Sequence, residues 1–267
     1  MWLDESAFQK RDLIIDPPYV NAAGSLGFYP GASAVSDWHL LGAFVTNPVS
    51  LKARKPAENR VCINFADGFL LHTGLPNPGF SAVLKRYAQR WARAPLPVIV
   101  HLIAEDVKGL AQMVPRLEVC ENIIAVELGF APDISADEAD RLIDSAFGEL
   151  PIIICLSPYQ VSTIAPVLVD SRVSMIRICE ARGMLPDDNG KLVRGRLYGT
   201  GLFPTALQAV HELAAMGLSV IGGGGVYTNA QVKALFQAGA AAVSLDAVLW
   251  RGGLKLDTLI EESIKKQ

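Results

Sequence analysis

Leu218-Ser219-Val220-Ile221-Gly222-Gly223-Gly224-Gly225 opens the stretch whose reading decides the fold. A short apolar run over Leu218–Ile221 meets a run of glycines. An amphipathic segment follows over Asn229–Ala238, Gly239 sits where a helix C-cap belongs, and Ala242–Leu245 is a second apolar run. Apolar runs of this length, without strict alternation, suit strands of a parallel sheet buried on both faces. The stretch therefore reads strand, glycine loop, helix, strand. Outward from it the same alternation recurs. Strands are predicted at Val20–Ala23, Ala43–Thr46, Val98–Leu102, Ile123–Leu128, Ile152–Leu156 and Val173–Ile178. Helices are predicted at Phe80–Arg93, with Val83, Leu84, Tyr87 and Trp91 on one face, and at Pro204–Met216, closed by Gly217. Eight strand–helix alternations in 267 residues close most naturally into a single (β/α)8 TIM barrel of the α/β class, one domain over 1–267. An open doubly wound sheet is the other arrangement compatible with the pattern.

Two connections exceed ordinary length. Asn47–Gly79 after the second strand and Cys179–Phe203 after the sixth are long loops of the kind that build or cover barrel sites. Leu13–Ile15 and the first ten residues read as a β-hairpin plugging the barrel bottom. Hydrophobic residues make up 51% of the chain and charged residues 19%, which supports a large core. A net charge of -3 gives no general attraction to nucleic acid. No signal peptide and no bilayer-length apolar run is read, so a cytoplasmic protein is expected. Cys62, Cys120, Cys155 and Cys179 are widely spaced and read as reduced thiols. Neither they nor the scattered histidines have metal-ligand spacing, so no metal is expected.

Gly223, Gly224 and Gly225 let backbone N–H groups approach an anion, at the position where barrels commonly hold phosphate. The alternative is a tight turn. Ala22, Ala23 and Gly24 leave room for a flat ligand at the end of the first strand, or form a packed turn. His72 and His101 are candidate acid–base groups that also fit structural roles. Glu127 lies within an apolar strand and needs a partner or a raised pKa. Arg177 is that partner or an anion clamp. Arg194 and Arg196 read as solvated, with an anion clamp as the alternative.

The order of motifs Asn21–Gly24, Gly42–Thr46, Gly74–Asn77, Gly199 through Leu207 and Ile221–Gly225 resembles the dihydroorotate dehydrogenase family over nearly the whole chain. The resemblance implies an FMN-binding barrel that oxidises dihydroorotate, with the flavin phosphate between the last two strand loops. It implies contacts from Ala22, Ala23, Gly24, Asn47, Gly223, Gly224, Gly225, Asp246 and Ala247. It also implies a homodimer and a small, anionic substrate. Several positions depart from the family pattern. Asn47 stands for a flavin-facing lysine, Cys155 for a second lysine, and Asp246-Ala247 for a phosphate-binding Gly-Thr. Leu71-His72-Thr73-Gly74-Leu75-Pro76-Asn77 lacks the first asparagine of its motif, and Ala131-Pro132-Asp133 lacks the proton-abstracting base. The expectation is an FMN-dependent oxidoreductase acting on a molecule other than dihydroorotate, with His72, Glu127 and Arg177 as replacement catalytic groups. The alternatives are a flavin-free barrel taking another phosphorylated molecule as lyase, isomerase or synthase, and a non-catalytic scaffold.

Overall fold

The computed structural model describes residues 12–31, 38–169 and 171–249. Eight parallel strands form one sheet: β1 (Tyr19–Asn21), β2 (Phe44–Val45), β5 (Val98–Ile103), β6 (Ile123–Gly129), β7 (Ile152–Leu156), β8 (Met175–Ile178), β11 (Val220–Gly222) and β12 (Ala242–Leu245). Their order is β1-β12-β11-β8-β7-β6-β5-β2, and a parallel bridge from Val20 to Ala43 joins the two ends. The sheet is thus a closed (β/α)8 barrel. Crossover helices α1 (Phe80–Trp91), α2 (Val107–Glu118), α3 (Ala136–Ser145), α4 (Val161–Leu168), α5 (Phe203–Ala215) and α6 (Asn229–Gln237) pack outside it. After β1 the crossover carries only a 3-10 turn, Trp38–Leu40, among the described residues.

Alternation along the strands separates two cores. Val98, Val100, Leu102, Val126, Leu128, Ile154 and Ile176 face the helices. Val20, Val45, Ile99, Ala125, Ile153, Met175 and Ile221 fill the barrel interior. Both sets are apolar, so the strands look uniformly hydrophobic in sequence even though the pleat sends neighbours to opposite sides. Ile15 joins the interior set from below, with Leu13 packed against it. The predicted plug is therefore real at Leu13 and Ile15, but residues 12–15 form no strand, and the first ten residues lie outside the described chain.

Trp91 anchors the outer core. It is fully buried at the end of α1, and its indole N–H donates to the Phe28 carbonyl at 2.7 Å. Trp91→Ala is expected to cost about 3–5 kcal/mol by leaving a cavity and an orphaned carbonyl. A urea midpoint unchanged from wild type would overturn that.

The two long connections are not irregular loops. They form a four-stranded antiparallel sheet, β3 (Val61–Phe65), β4 (Gly68–His72), β10 (Leu192–Gly199) and β9 (Arg182–Pro186), in the order β3-β4-β10-β9. Each connection contributes one hairpin, and β4 pairs with β10 to join them. The first hairpin turns through Ala66-Asp67, with Asp67 at φ 62. In the second, the Asp187 carboxylate accepts from the Asn189 and Lys191 amides, both at 2.9 Å. Because both connections leave the C-terminal ends of β2 and β8, the small sheet lies over the barrel mouth as a lid. No helix among the described residues is long and apolar enough to cross a membrane.

Candidate functional site

Above the apolar interior layer, the next inward position on four neighbouring strands is polar. His101 on β5 lies beside Glu127 on β6, and Cys155 on β7 lies beside Arg177 on β8. Each sits two residues beyond an interior apolar residue (Ile99, Ala125, Ile153 and Met175), so the strand period places all four in the barrel. Glu127 is the hub. Its Oε1 lies 2.5 Å from His101 Nδ1, Arg177 Nε donates to Oε2 at 2.6 Å, and Arg177 Nη2 donates to Oε1 at 3.0 Å. Arg177 Nη2 also donates to Cys155 Sγ at 3.1 Å. This forked geometry satisfies both oxygens of a carboxylate that is fully buried.

The electrostatics follow from that packing. Burial alone would raise the Glu127 pKa, but the Arg177 charge and the His101 hydrogen bond outweigh it and hold the carboxyl at about 2. Burial pushes His101 down, only partly opposed by Glu127, so its imidazole is neutral at neutral pH. With Glu127 anionic, His101 Nδ1 carries the proton and donates it. The Nε2 atom is then left as the basic nitrogen. Nε2 faces Gly129, where an added Cβ would lie only 2.5 Å from it. The glycine keeps that side of the ring open.

Beyond the layer lies a cavity of about 400 Å³ whose wall includes His101, Gly129, Cys155, Cys179 and Arg196. A second cavity of about 530 Å³, under the lid, includes His72, Arg194 and Arg196 in its wall. The two share Arg54, Leu75, Pro132, Arg182 and Arg196. Arg54 is already ion-paired to Glu105 at 2.7 Å, which leaves Arg182 and Arg194 as the exposed cations of the rim.

The expected site residues divide accordingly. Glu127 and Arg177 come together, as expected for partners. His72 does not join them: it lies on lid strand β4, opposite Val61. His101 takes the place beside Glu127. Arg194 is exposed as expected, whereas Arg196 is not a solvated side chain: it is only 18% exposed and stands 3.8 Å from Glu180. His101, Glu127 and Cys155 have donor atoms within 4.8 Å of one another, close enough for a metal ion. The Arg177 guanidinium already occupies both Glu127 oxygens and touches Cys155, and it would repel a cation there.

The loops after β11 and β12 are closed. A Cβ on Gly225 would lie 2.7 Å from the Phe203 amide and 2.8 Å from the Gly199 carbonyl oxygen, and one on Gly223 would meet the Ile178 carbonyl oxygen at 2.7 Å. The glycines are required by neighbouring backbone. The space left beside them is about 10 Å³, bordered by Glu180, Tyr198 and Asp246. Tyr198 stacks on Phe69 at 4.8 Å between ring centroids, and Ala247 packs with them. Burial, reinforced by the Glu180 charge and hydrogen bond, raises Asp246 well above the usual aspartate range. Burial would also raise Glu180, but the Arg196 and Arg177 charges hold it below its ordinary value. The two carboxyl groups border the same small space and are shifted in opposite directions. At β1, the Arg196 guanidinium lies 3.7 Å from where a Gly24 Cβ would be. Asn47 turns to the loop after β1, its Oδ1 accepting from the Gly27 amide at 3.0 Å.

The sequence model of the family described as "Dihydroorotate dehydrogenase" matches residues 12–267. The chain belongs to the dihydroorotate dehydrogenase family. Dihydroorotate dehydrogenase A (fumarate) of Lacticaseibacillus paracasei is 28% identical over 268 residues, covering 90% of each chain. The catalytic subunit of dihydroorotate dehydrogenase B (NAD(+)) of Desulforudis audaxviator is 28% identical over 260 residues, covering 87% of this chain and 83% of its own. The Eimeria tenella enzyme, crystallised with ferulenol, superposes with a TM-score of 0.72 at 13% identity over 93% of this chain and 80% of its own, a likeness of fold. The dihydroorotate dehydrogenases are FMN-dependent oxidoreductases, and family members generally bind FMN. The residues present here do not fit that group in the family pose. The phosphate position offers about 10 Å³ beside Glu180 and Asp246, where a dianion would meet a buried carboxylate.

Proposed function

We propose that this member of the dihydroorotate dehydrogenase family binds a small anionic molecule other than dihydroorotate, between the barrel mouth and the lid sheet, without FMN in the family pose. Proton transfer at His101 Nε2 is the chemistry proposed for it. The observation that carries the reading is the Arg177–Glu127–His101 chain, ending on a cavity with a cationic rim. A neutral histidine held by a buried carboxylate can accept a proton from a bound molecule, and Glu127 then stabilises the imidazolium. Arg177 keeps Glu127 ionised for that role. Arg182 and Arg194 offer the charge to hold a carboxylate or phosphate at the entrance.

The test is the visible spectrum of the protein as purified, then again after incubation with FMN and dialysis, beside a thermal-shift screen of carboxylates and sugar phosphates. No flavin absorbance and a ligand-induced rise in Tm that is lost in Arg182→Ala/Arg194→Ala are expected. Stoichiometric FMN retention would overturn the proposal and favour a second reading, a flavin oxidoreductase with its cofactor displaced from the family pose. The two cavities of about 400 and 530 Å³, with their shared wall, favour that reading, because together they are of flavin size.

A further inference from the structure

One pair of groups in the pocket has no part in the proton-transfer reading. Cys155 ends near the top of β7, and Cys179 immediately follows β8. The Cys179 amide donates to the Leu156 carbonyl at 2.8 Å, so the two strands still run side by side there. Arg177 and Cys179, two residues apart, both turn toward the barrel mouth. The side chains of Cys155 and Cys179 thus lie diagonally across adjacent strands, near enough for each thiol to affect the other's ionisation. Both line the cavity of about 400 Å³. Cys155 is buried, and Cys179 is partly exposed.

We propose that Cys155 and Cys179 form a redox-active dithiol on the pocket floor, which closes to a disulfide when a small hydroperoxide enters. Cys179 is the attacking thiol. The neighbouring Cys155 thiol lowers its pKa, with help from the Arg177 and Arg196 charges, while burial and the Glu180 charge oppose. Cys155 is the resolving thiol. The neighbouring Cys179 and burial raise its pKa, which keeps it protonated until needed. The Cys179 thiolate attacks one peroxide oxygen, the O–O bond breaks, and the departing hydroxide takes a proton to become water. Cys179 is then a sulfenic acid. Cys155 attacks its sulfur, the S–O bond breaks, and a second water leaves with the Cys155 proton. In sum, two thiols and one hydroperoxide give a disulfide and two waters, or water and an alcohol for an organic peroxide. The other cysteines are placed differently: Cys62 is exposed on the lid, and Cys120 donates to the Arg116 carbonyl at the end of α2.

The experiment treats the whole protein with one equivalent of hydrogen peroxide, unfolds it in an alkylating agent, and maps the peptides by mass spectrometry. A Cys155–Cys179 crosslink reversed by dithiothreitol is expected, with Cys62 and Cys120 alkylated. In Cys155→Ser the sulfenic acid should persist on Cys179 and be trapped by dimedone, about tenfold faster than at Cys62. Recovery of both Cys155 and Cys179 as free thiols while the exposed Cys62 is oxidised would overturn the proposal. So would a crosslink joining Cys179 to Cys62. The wild-type peptide map decides the matter even if the serine variant fails to fold. It reads thiols, so its result is independent of which molecule the pocket binds.

Discussion

Arg177→Met is expected to destabilise the protein by about 3–5 kcal/mol. Methionine fills most of the volume but leaves Glu127 fully buried with no cation on either oxygen. The loss comes mainly from the stranded carboxylate, so it should be largely recovered in Glu127→Leu/Arg177→Met, where neither charge of that pair remains. Urea unfolding of the two variants and wild type measures this. A single variant as stable as wild type would show that the network contributes nothing. The same network sets the acid limb. Glu127 has a folded pKa of about 2 against an ordinary value of 4.5, so its contribution is present above about pH 4.5 and is lost as pH falls toward 2. Glu180, also held below its ordinary value, adds to the same limb. Asp246, raised, acts in the opposite sense: its contribution is full below the usual aspartate range and declines as pH rises through its folded pKa. Glu127→Gln should flatten the acid limb, which midpoints measured from pH 2 to 8 would report.

The second large effect concerns turnover. With FMN and a standard acceptor supplied, the protein is expected to oxidise dihydroorotate at no more than about 10⁻²–10⁻⁴ of the rate of a family enzyme with its base in place. The stretch after β6 carries Ala131 and Pro132 where the resemblance calls for that base, and neither side chain can take a proton. His101 is the proposed proton acceptor, but it lies on the neighbouring strand, lower in the barrel, and is held by Glu127. A steady-state assay at saturating dihydroorotate checks this, and a rate within tenfold of a family enzyme would overturn it.

Much of the barrel was legible because a strand buried on both faces must be apolar throughout. Ile152–Leu156 and Ala242–Leu245 appear in the structure with the expected bounds, and Asn229–Ala238 ends one residue early. The lid sheet was not foreseen. Its strands β4 and β10 pair across more than a hundred residues of chain, and no local pattern specifies such a partner. The Asp67-Gly68 and Asp188-Asn189-Gly190 turns were the available signals, marking two hairpins inside what read as loops.

The site divides in the same way. Sequence alone determined the barrel and the need of Glu127 for a partner, because each follows from residue type and strand period, and the resemblance to the family marked the departures at Asn47, Cys155 and Asp246. Only the tertiary structure decided which groups meet. It put His101, not His72, beside Glu127, and turned the glycine run toward the Phe203 amide and the Gly199 carbonyl. It also drew Arg196 down onto Glu180. The reason is geometric: residues on separate strands become neighbours only when the sheet closes, and a glycine specifies close approach without naming what approaches.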